Sequence, residues 1–425
     1  MTELDSGERV ITERVPSVRS VALGYWIGAG SRDEKEERAG VSHFLEHLLF
    51  KGSSRYTAQE IAETFDTLGG ELNAATSREH TMLYARVTDA HVETAIDVMT
   101  DMVFAPTFAE LDSEREVVLE EIAMIEDTPP ELVHDLFTET VFGDHPLGRP
   151  VLGSADVISN VSRRAVGAYH RSRYRPDSIV LAAVGSVDHD RLVELTETMS
   201  AKRGGAAGRG PARPAFVAPP KPSLRFIRKD TEQYHLCVGG PGIARSDKRR
   251  FTATILDSIL GGSASSRLFQ EIREKRGLAY AVYTFASQYA DAGQIGVYVG
   301  TREENLAECL EVVANELAAV ARGNVRDDEV VRAKENLKGR IMLSMELTSN
   351  RMSRLGKSVV TDSELLSLDQ ILAGIDAVDS ESVAALAGVL LAPDQLSVAG
   401  IGPREDKFVA AVDRIAPGLV AAQAA

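Results

Sequence analysis

His43-Phe44-Leu45-Glu46-His47-Leu48-Leu49-Phe50 sets two imidazoles and a carboxylate within five residues, inside an apolar frame. Phe44, Leu45, Leu48 and Leu49 recur at helical spacing, so the stretch reads as an amphipathic helix with one buried face. At about 100° per residue His43 and His47 lie roughly 40° apart, and Glu46 falls about 60° to the other flank of His43. Two neutral ring nitrogens can then bind one cation while the carboxylate reaches a water on it, which is metal-hydrolase chemistry. The plain alternative, a core helix whose polar residues merely face solvent, explains the apolar positions but not the His-x-x-Glu-His order.

A catalytic metal site of this kind uses three protein ligands and leaves the fourth position to water. The third ligand is sought in Leu111-Asp112-Ser113-Glu114-Arg115-Glu116-Val117-Val118-Leu119-Glu120-Glu121-Ile122, a segment of helical period. Seven residues apart, Glu114 and Glu121 return to within roughly 20° of one another, two turns along the same face. Glu116 and Glu120 point elsewhere on that count. A Glu-rich helix is by itself more often a solvated face.

The order His-x-x-Glu-His, then Glu121 with 73 residues between it and His47, then Glu114 seven residues before Glu121, resembles the pitrilysin or insulinase family of zinc metallopeptidases. The nearest type is its short bacterial and mitochondrial-processing-peptidase-like members. The resemblance implies one Zn2+ per chain, held by His43, His47 and Glu121, with Glu46 as general base and Glu114 supporting the ligands. It implies a strand at Gly69-Gly70-Glu71-Leu72-Asn73-Ala74 whose edge pairs with a peptide through Asn73 and Ala74. Gly143-Asp144-His145-Pro146-Leu147-Gly148 resembles a family turn before the next helix. Gly261-Gly262-Ser263-Ala264-Ser265-Ser266-Arg267-Leu268, followed by Arg273 and Tyr280, resembles the family's glycine-containing loop and its Arg-Tyr pair. A guanidinium and a phenol can both donate to the oxyanion of peptide hydrolysis; the plain reading is an exposed basic helix end followed by a strand tyrosine.

The fold implied is α+β: two homologous α/β domains, each a mixed or antiparallel sheet with helices, closing as a clamshell. The expected activity is a zinc-dependent endopeptidase acting on peptides or unfolded segments in an enclosed chamber through a zinc-activated water. A chain holding only two such domains is expected to work as a homodimer with a shared active site. Two other functions fit the same fold, a non-catalytic assembly subunit and a peptide-binding chaperone. The first would be expected to lose one of His43, Glu46, His47 or Glu121, and none is missing.

Composition agrees with these expectations. With 425 residues, 44% hydrophobic and 26% charged, the chain has room for two or more domains. A net charge of -16 argues against nucleic acid as the main partner. Cys237 and Cys309 stand far apart and read as buried thiols. No apolar run approaches a membrane span and the polar, acidic start resembles no signal peptide, so the expected location is cytoplasmic.

The stretch Ala201–Pro222, rich in Gly, Pro, Ala and Arg, reads as a solvated linker between a catalytic zinc-binding domain, 1–200, and a metal-free homologous domain, 223–425. The halves read as diverged copies. Ser17 to Ile27 and Thr81 to Val87 are strand-like, followed by a helix from Val92 to Val103. Leu224 to Ile227, Tyr234 to Gly239 and Gln294 to Val299 are strand-like in the second half, with helices from Phe251 to Leu260 and Leu306 to Val320. Laying Leu48-Leu49 over Ile259-Leu260 puts Thr254, Asp257 and Ser258 where His43, Glu46 and His47 stand, so the second copy should hold no metal.

Overall fold

The computed structural model describes residues 1–203 and 211–424; residues 204–210 of the expected linker lie outside the described residues. Two compact units result. Unit 1 is Met1–Ala123, Arg149–Pro214 and Met342–Leu365; unit 2 is Met124–Gly148, Ala215–Ile341 and Leu366–Ala425.

In unit 1 the strands β1 (Thr2–Glu3), β2 (Arg9–Arg14), β3 (Ser20–Ile27), β4 (Glu71–Thr76), β5 (Thr81–Thr88) and β6 (Ile179–Gly185) form one sheet in the order β1-β2-β6-β3-β5-β4. Only β2 and β6 run parallel. The first part of the chain adds helices α1 (Val41–Leu49), α2 (Ala58–Leu68), α3 (Val92–Phe104), α4 (Leu111–Glu126), α5 (Pro129–Phe142), α6 (Ala155–Asn160), α7 (Arg163–Arg173) and α8 (His189–Arg203). Unit 2 repeats the plan with β7 (Leu224–Arg228), β8 (Tyr234–Pro241), β9 (Ala279–Gln288), β10 (Gly293–Thr301) and β11 (Ser397–Gly402) in the order β7-β11-β8-β10-β9. Again one outer pair, β7 and β11, is parallel and the rest antiparallel. The second part of the chain carries α9 (Arg250–Leu260), α10 (Leu306–Ala321), α11 (Asp327–Ser344), α12 (Thr348–Val360), α13 (Leu368–Asp376), α14 (Ser380–Leu390), α15 (Glu405–Asp413) and α16 (Pro417–Ala424).

β3 is buried on both faces, which its unbroken apolar run anticipates. Val21, Leu23, Tyr25 and Ile27 enter the main core of unit 1, where α1 and α3 contribute Phe44, Leu45, Leu48, Ile96 and Met99. Ala22 and Trp26 point the other way, into a second cluster with Val180, Val184, Met352, Leu355 and Val359. That second face is covered by α12, a helix from the other half of the sequence. Unit 2 mirrors this: Val133, Leu136, Phe137 and Val141 of α5 pack on Cys237, Tyr298, Ala399 and Ile401.

The close approach on these faces is made by glycines. A Cβ on Gly356 would meet Trp26 Nε1 at 2.0 Å, and one on Gly24 would meet Met352 Sδ at 2.6 Å. In unit 2 the bulk sits on the helix instead, with Phe137 reaching over Gly296 at 3.0 Å from the position its Cβ would take. Both cysteines, Cys237 and Cys309, are buried free thiols. No described helix is long and apolar enough to cross a membrane.

Candidate metal centre

Helix α1 starts under the control of a buried carboxylate. Glu34 Oε2 accepts from Gly40 N at 2.7 Å and Glu34 Oε1 from Ser42 N at 2.6 Å, satisfying amides that the helix itself leaves unpaired. Gly40 adopts φ 96°, a conformation that suits glycine, and a Cβ there would meet Leu152 O at 2.4 Å. Burial pushes the Glu34 carboxyl up to about 7, partly opposed by its hydrogen bonds to Ser42 and Gly40 and by the charge of Arg149.

From that start the apolar side chains of α1 enter the core and the histidines face α4. His43 Nε2 and His47 Nε2 are 3.3 Å apart, and each lies 3.4 Å from Glu121 Oε2. Two donors 2.0–2.1 Å from one ion at the tetrahedral angle would stand about 3.3 Å apart, so the three atoms match the edges of a zinc coordination tetrahedron. Among the described residues this is the one group of three such donors. Burial, then the neighbouring charge of His47, lowers the His43 imidazole to about 4, which keeps it neutral and able to ligate.

His47 Nδ1 lies 2.9 Å from Glu114 Oε1, and Lys51 Nζ lies 2.7 Å from Glu114 Oε2. Glu114 is 5% exposed, so it fixes the His47 ring from inside the protein. Its partner Glu121 faces the histidines, whereas Glu120 is exposed. Glu46 is half-buried beside Thr76; burial is the main cause of its raised carboxyl pKa, and one of its oxygens, Oε2, is buried without a hydrogen bond. That combination suits a group that must accept and return a proton.

Asn73 and Ala74 lie on β4 at the sheet edge, paired on one side with Tyr84 and Leu83 of β5. Asn73 Oδ1 accepts from Ala74 N at 2.8 Å. Arg273 and Tyr280 belong to unit 2 and meet each other, with the guanidinium carbon 4.3 Å from the Tyr280 ring centre and 4.8 Å from that of Phe269. Arg273 lies near the end of a π-helical segment, Phe269–Glu274, and Tyr280 is 77% exposed.

Sequence reasoning passed over three groups around this centre. Lys51 stands one helical turn beyond His47, a spacing that would have found it. Thr76 is three residues from Asn73 but carries no motif. Glu34 caps α1 from outside the helix, and nothing in its local pattern marks it.

The insulinase pattern, peptidase family M16, matches residues 9–155, and the peptidase M16 inactive-domain pattern matches residues 160–337. The chain belongs to the insulinase family. Its relatives include an uncharacterized zinc protease of Streptomyces coelicolor, 43% identical over 418 residues, covering 96% of this chain and 90% of that protein. Another, from Bacillus subtilis, is 40% identical over 391 residues, covering 92% of this chain and 95% of that protein. The fold matches a protease from Helicobacter pylori with a TM-score of 0.87 at 21% identity, over 95% of this chain and 98% of that one. A peptidase M16 inactive-domain structure from Pseudomonas fluorescens matches with a TM-score of 0.86 at 23% identity, over 94% and 96% of the two chains. In this insulinase-family chain the inactive-domain match begins after Glu121, past every one of the converging donors.

Proposed function

We propose that this insulinase-family chain is a zinc-dependent endopeptidase acting on peptides or unfolded segments. The observation that carries the reading is the spacing of His43 Nε2, His47 Nε2 and Glu121 Oε2, at 3.3–3.4 Å from one another. The names of the relatives, zinc proteases, support it. His43, His47 and Glu121 hold the ion, and Glu114 orients His47. A bound zinc ion supplies Lewis acidity toward the scissile carbonyl and makes water easier to deprotonate. Glu46 accepts that proton at its carboxylate and returns it to the leaving amine.

The substrate backbone adds to the free edge of β4 at Asn73 and Ala74, the Asn73 side chain swinging aside to free the Ala74 amide. Residues 1–200 carry the metal chemistry, and residues 223–425 supply Arg273 and Tyr280 as donors to the developing oxyanion. In the working homodimer these come from the second chain; the exposure of the Tyr280 phenol supports that role. The cytoplasm is the proposed site of action.

Subunit complementation tests the whole arrangement. Chains bearing Glu46→Gln and chains bearing Arg273→Ala with Tyr280→Phe should each be inactive, while their mixture recovers zinc-dependent peptide cleavage at one of two sites. Mass-tagged subunits that demonstrably exchange without restoring activity would remove the shared site. A wild-type protein that binds zinc yet cleaves no unfolded polypeptide would remove the peptidase.

A further inference from the structure

The described end of the expected linker is exposed along most of its length, yet residues 211–214 are anchored. Arg173 Nη1 donates to Pro211 O at 2.8 Å, and Arg32 Nη2 donates to Pro214 O at 2.7 Å. Between these points Arg213 turns inward. Its Nε and Nη2 donate to the two oxygens of Asp33 at 3.1 and 2.9 Å, and Nη2 also reaches the carbonyls of Glu79 at 2.8 Å and Gly28 at 3.2 Å.

The receiving carboxylates are buried. The Asp33 side chain is 1% exposed and that of Glu79 2%. Arg32 Nη1 lies 2.8 Å from Glu79 Oε1, and Arg173 Nη1 lies 3.2 Å from Asp33 Oδ1. Burying two carboxylates costs on the order of several kcal/mol each unless paired guanidiniums and hydrogen bonds offset it. Among the described residues Arg213 is therefore one of three guanidiniums, with Arg32 and Arg173, that let these two acids stay inside.

Those acids sit on the two segments that carry the candidate centre. Residues 28–34 open the connection from β3 to α1 and end in Glu34, which caps the helix of His43, Glu46 and His47. Residues 77–80 connect β4 to β5 and begin beside Thr76, the neighbour of Glu46. The segments meet through Ser31 N to Ser77 O at 3.1 Å and Arg32 N to Arg78 O at 2.8 Å. Arg213 spans the same seam, binding Asp33 and Gly28 on one side and the Glu79 carbonyl on the other.

We propose that residues 211–214 form a strap and that Arg213 is a positioning residue, setting helix α1 against strand β4 so that Glu46 faces a peptide lying on the β4 edge. The catalytic part rests on the peptidase reading above. The strap touches neither the three converging donors nor the β4 edge, and His43 and His47 ride on the same helix as Glu46, so its loss should act on kcat more than on zinc binding or KM.

The test uses full-length Arg213→Gln. In zinc-free protein, amide exchange should quicken about tenfold or more in residues 28–42 and 71–80 while α10 and β10 keep wild-type rates. In zinc-loaded protein kcat should fall about 10- to 100-fold with KM and zinc affinity within about threefold. Asp33→Asn with Arg213→Gln removes the buried carboxylate left with one guanidinium, that of Arg173, so it should recover part of the lost thermal stability without recovering kcat. Arg213→Lys keeps the charge but not the two-pronged bond, and gives an intermediate exchange rate and kcat if the glutamine variant does not fold. Unchanged exchange in both segments, or a double variant that regains kcat along with stability, overturns the strap. Should the wild type cleave no peptide, the exchange measurements still decide the strap and the peptidase reading alone falls.

Discussion

The two units use one strand order and put different chemistry on it. α1 follows β3 in the first sheet as α9 follows β8 in the second, and the register that places His43, Glu46 and His47 in α1 places Thr254, Asp257 and Ser258 in α9. Starting from the first residues of α5 and α12, Pro129 and Thr348, Arg340 of α11 falls opposite Glu121 of α4. The second copy thus keeps a buried carboxyl but loses every donor around it. Burial raises the Asp257 carboxyl, and the charge of Arg340 works against that rise. The fold is carried by apolar positions common to both copies, and three positions, those of His43, His47 and Glu121, separate the copy with converging donors from the copy without.

The widest separation between the copies should appear in turnover. Glu46→Gln should cut peptide hydrolysis by about 10²- to 10⁴-fold with zinc content unchanged, because an amide is a poor proton acceptor. Asp257→Asn should leave the rate within about twofold. Equal losses in the two variants, read against metal analysis of each sample, would erase the division between the copies.

Metal affinity is the next measure. In competition with a chelator, Glu121→Gln should weaken zinc binding by at least about 10- to 100-fold, the range found even for residues behind the ligands. Glu120→Gln and Arg340→Gln should bind as wild type does. A sensitive Glu120 would mean that α4 turns another face to the histidines.

The exchanged helices offer a comparison in stability. Phe137→Ala, which empties the α5 side of unit 2, should cost about 3–5 kcal/mol in chemical denaturation. At the corresponding position of α12 stands Gly356, with the bulk supplied by Trp26 from the sheet. Gly356→Ala adds volume where none is free and should cost about 1–3 kcal/mol. A tolerated Gly356→Ala would show that α12 can lift off its sheet without loss.

The helix starts differ in the sign of their pH dependence. Glu34 has a folded-state pKa pushed up to about 7 by burial, so its contribution to stability is full below its ordinary value near 4.5 and is lost as pH rises through 7. Ahead of α9, Asp247 is held below its ordinary value by the side-chain hydrogen bond from Arg249, so its contribution is full above the ordinary value and lost in acid. Unfolding midpoints of Glu34→Gln relative to wild type should therefore converge between pH 4.5 and 8. Those of Asp247→Asn should converge only on acidification. A Glu34→Gln difference that stays constant across that window would show that the capping carboxylate is ionised throughout.

The cluster of converging donors was legible because helical spacing brings His43, Glu46 and His47 together, and a seven-residue interval aligns Glu114 with Glu121. The strands were legible for a similar reason, since Ser20–Ile27 and Gln294–Val299 carry their burial in composition. What pattern reading could not reach depends on contacts distant in sequence. Glu34 acts on α1 from a loop, and Arg213 meets Asp33 across 180 residues of chain. An arginine among glycines, alanines and prolines looks solvated, and only the position of Asp33 and Glu79 says otherwise. The assignment of α5 and α12 was equally hidden, because an amphipathic helix does not say which sheet it will cover.

The exchange of α5 and α12 also sets a schedule for synthesis. The last strand of the unit 1 sheet, β6, is complete at Gly185, but the helix that covers its second face ends at Val360. At about 5–20 residues per second, roughly 10–35 seconds pass on the ribosome with Trp26, Val180, Ala182 and Val184 uncovered. A nascent chain of this design carries an adhesive face throughout the synthesis of the stretch from Gly185 to Val360, and it becomes self-sufficient only when its second half emerges.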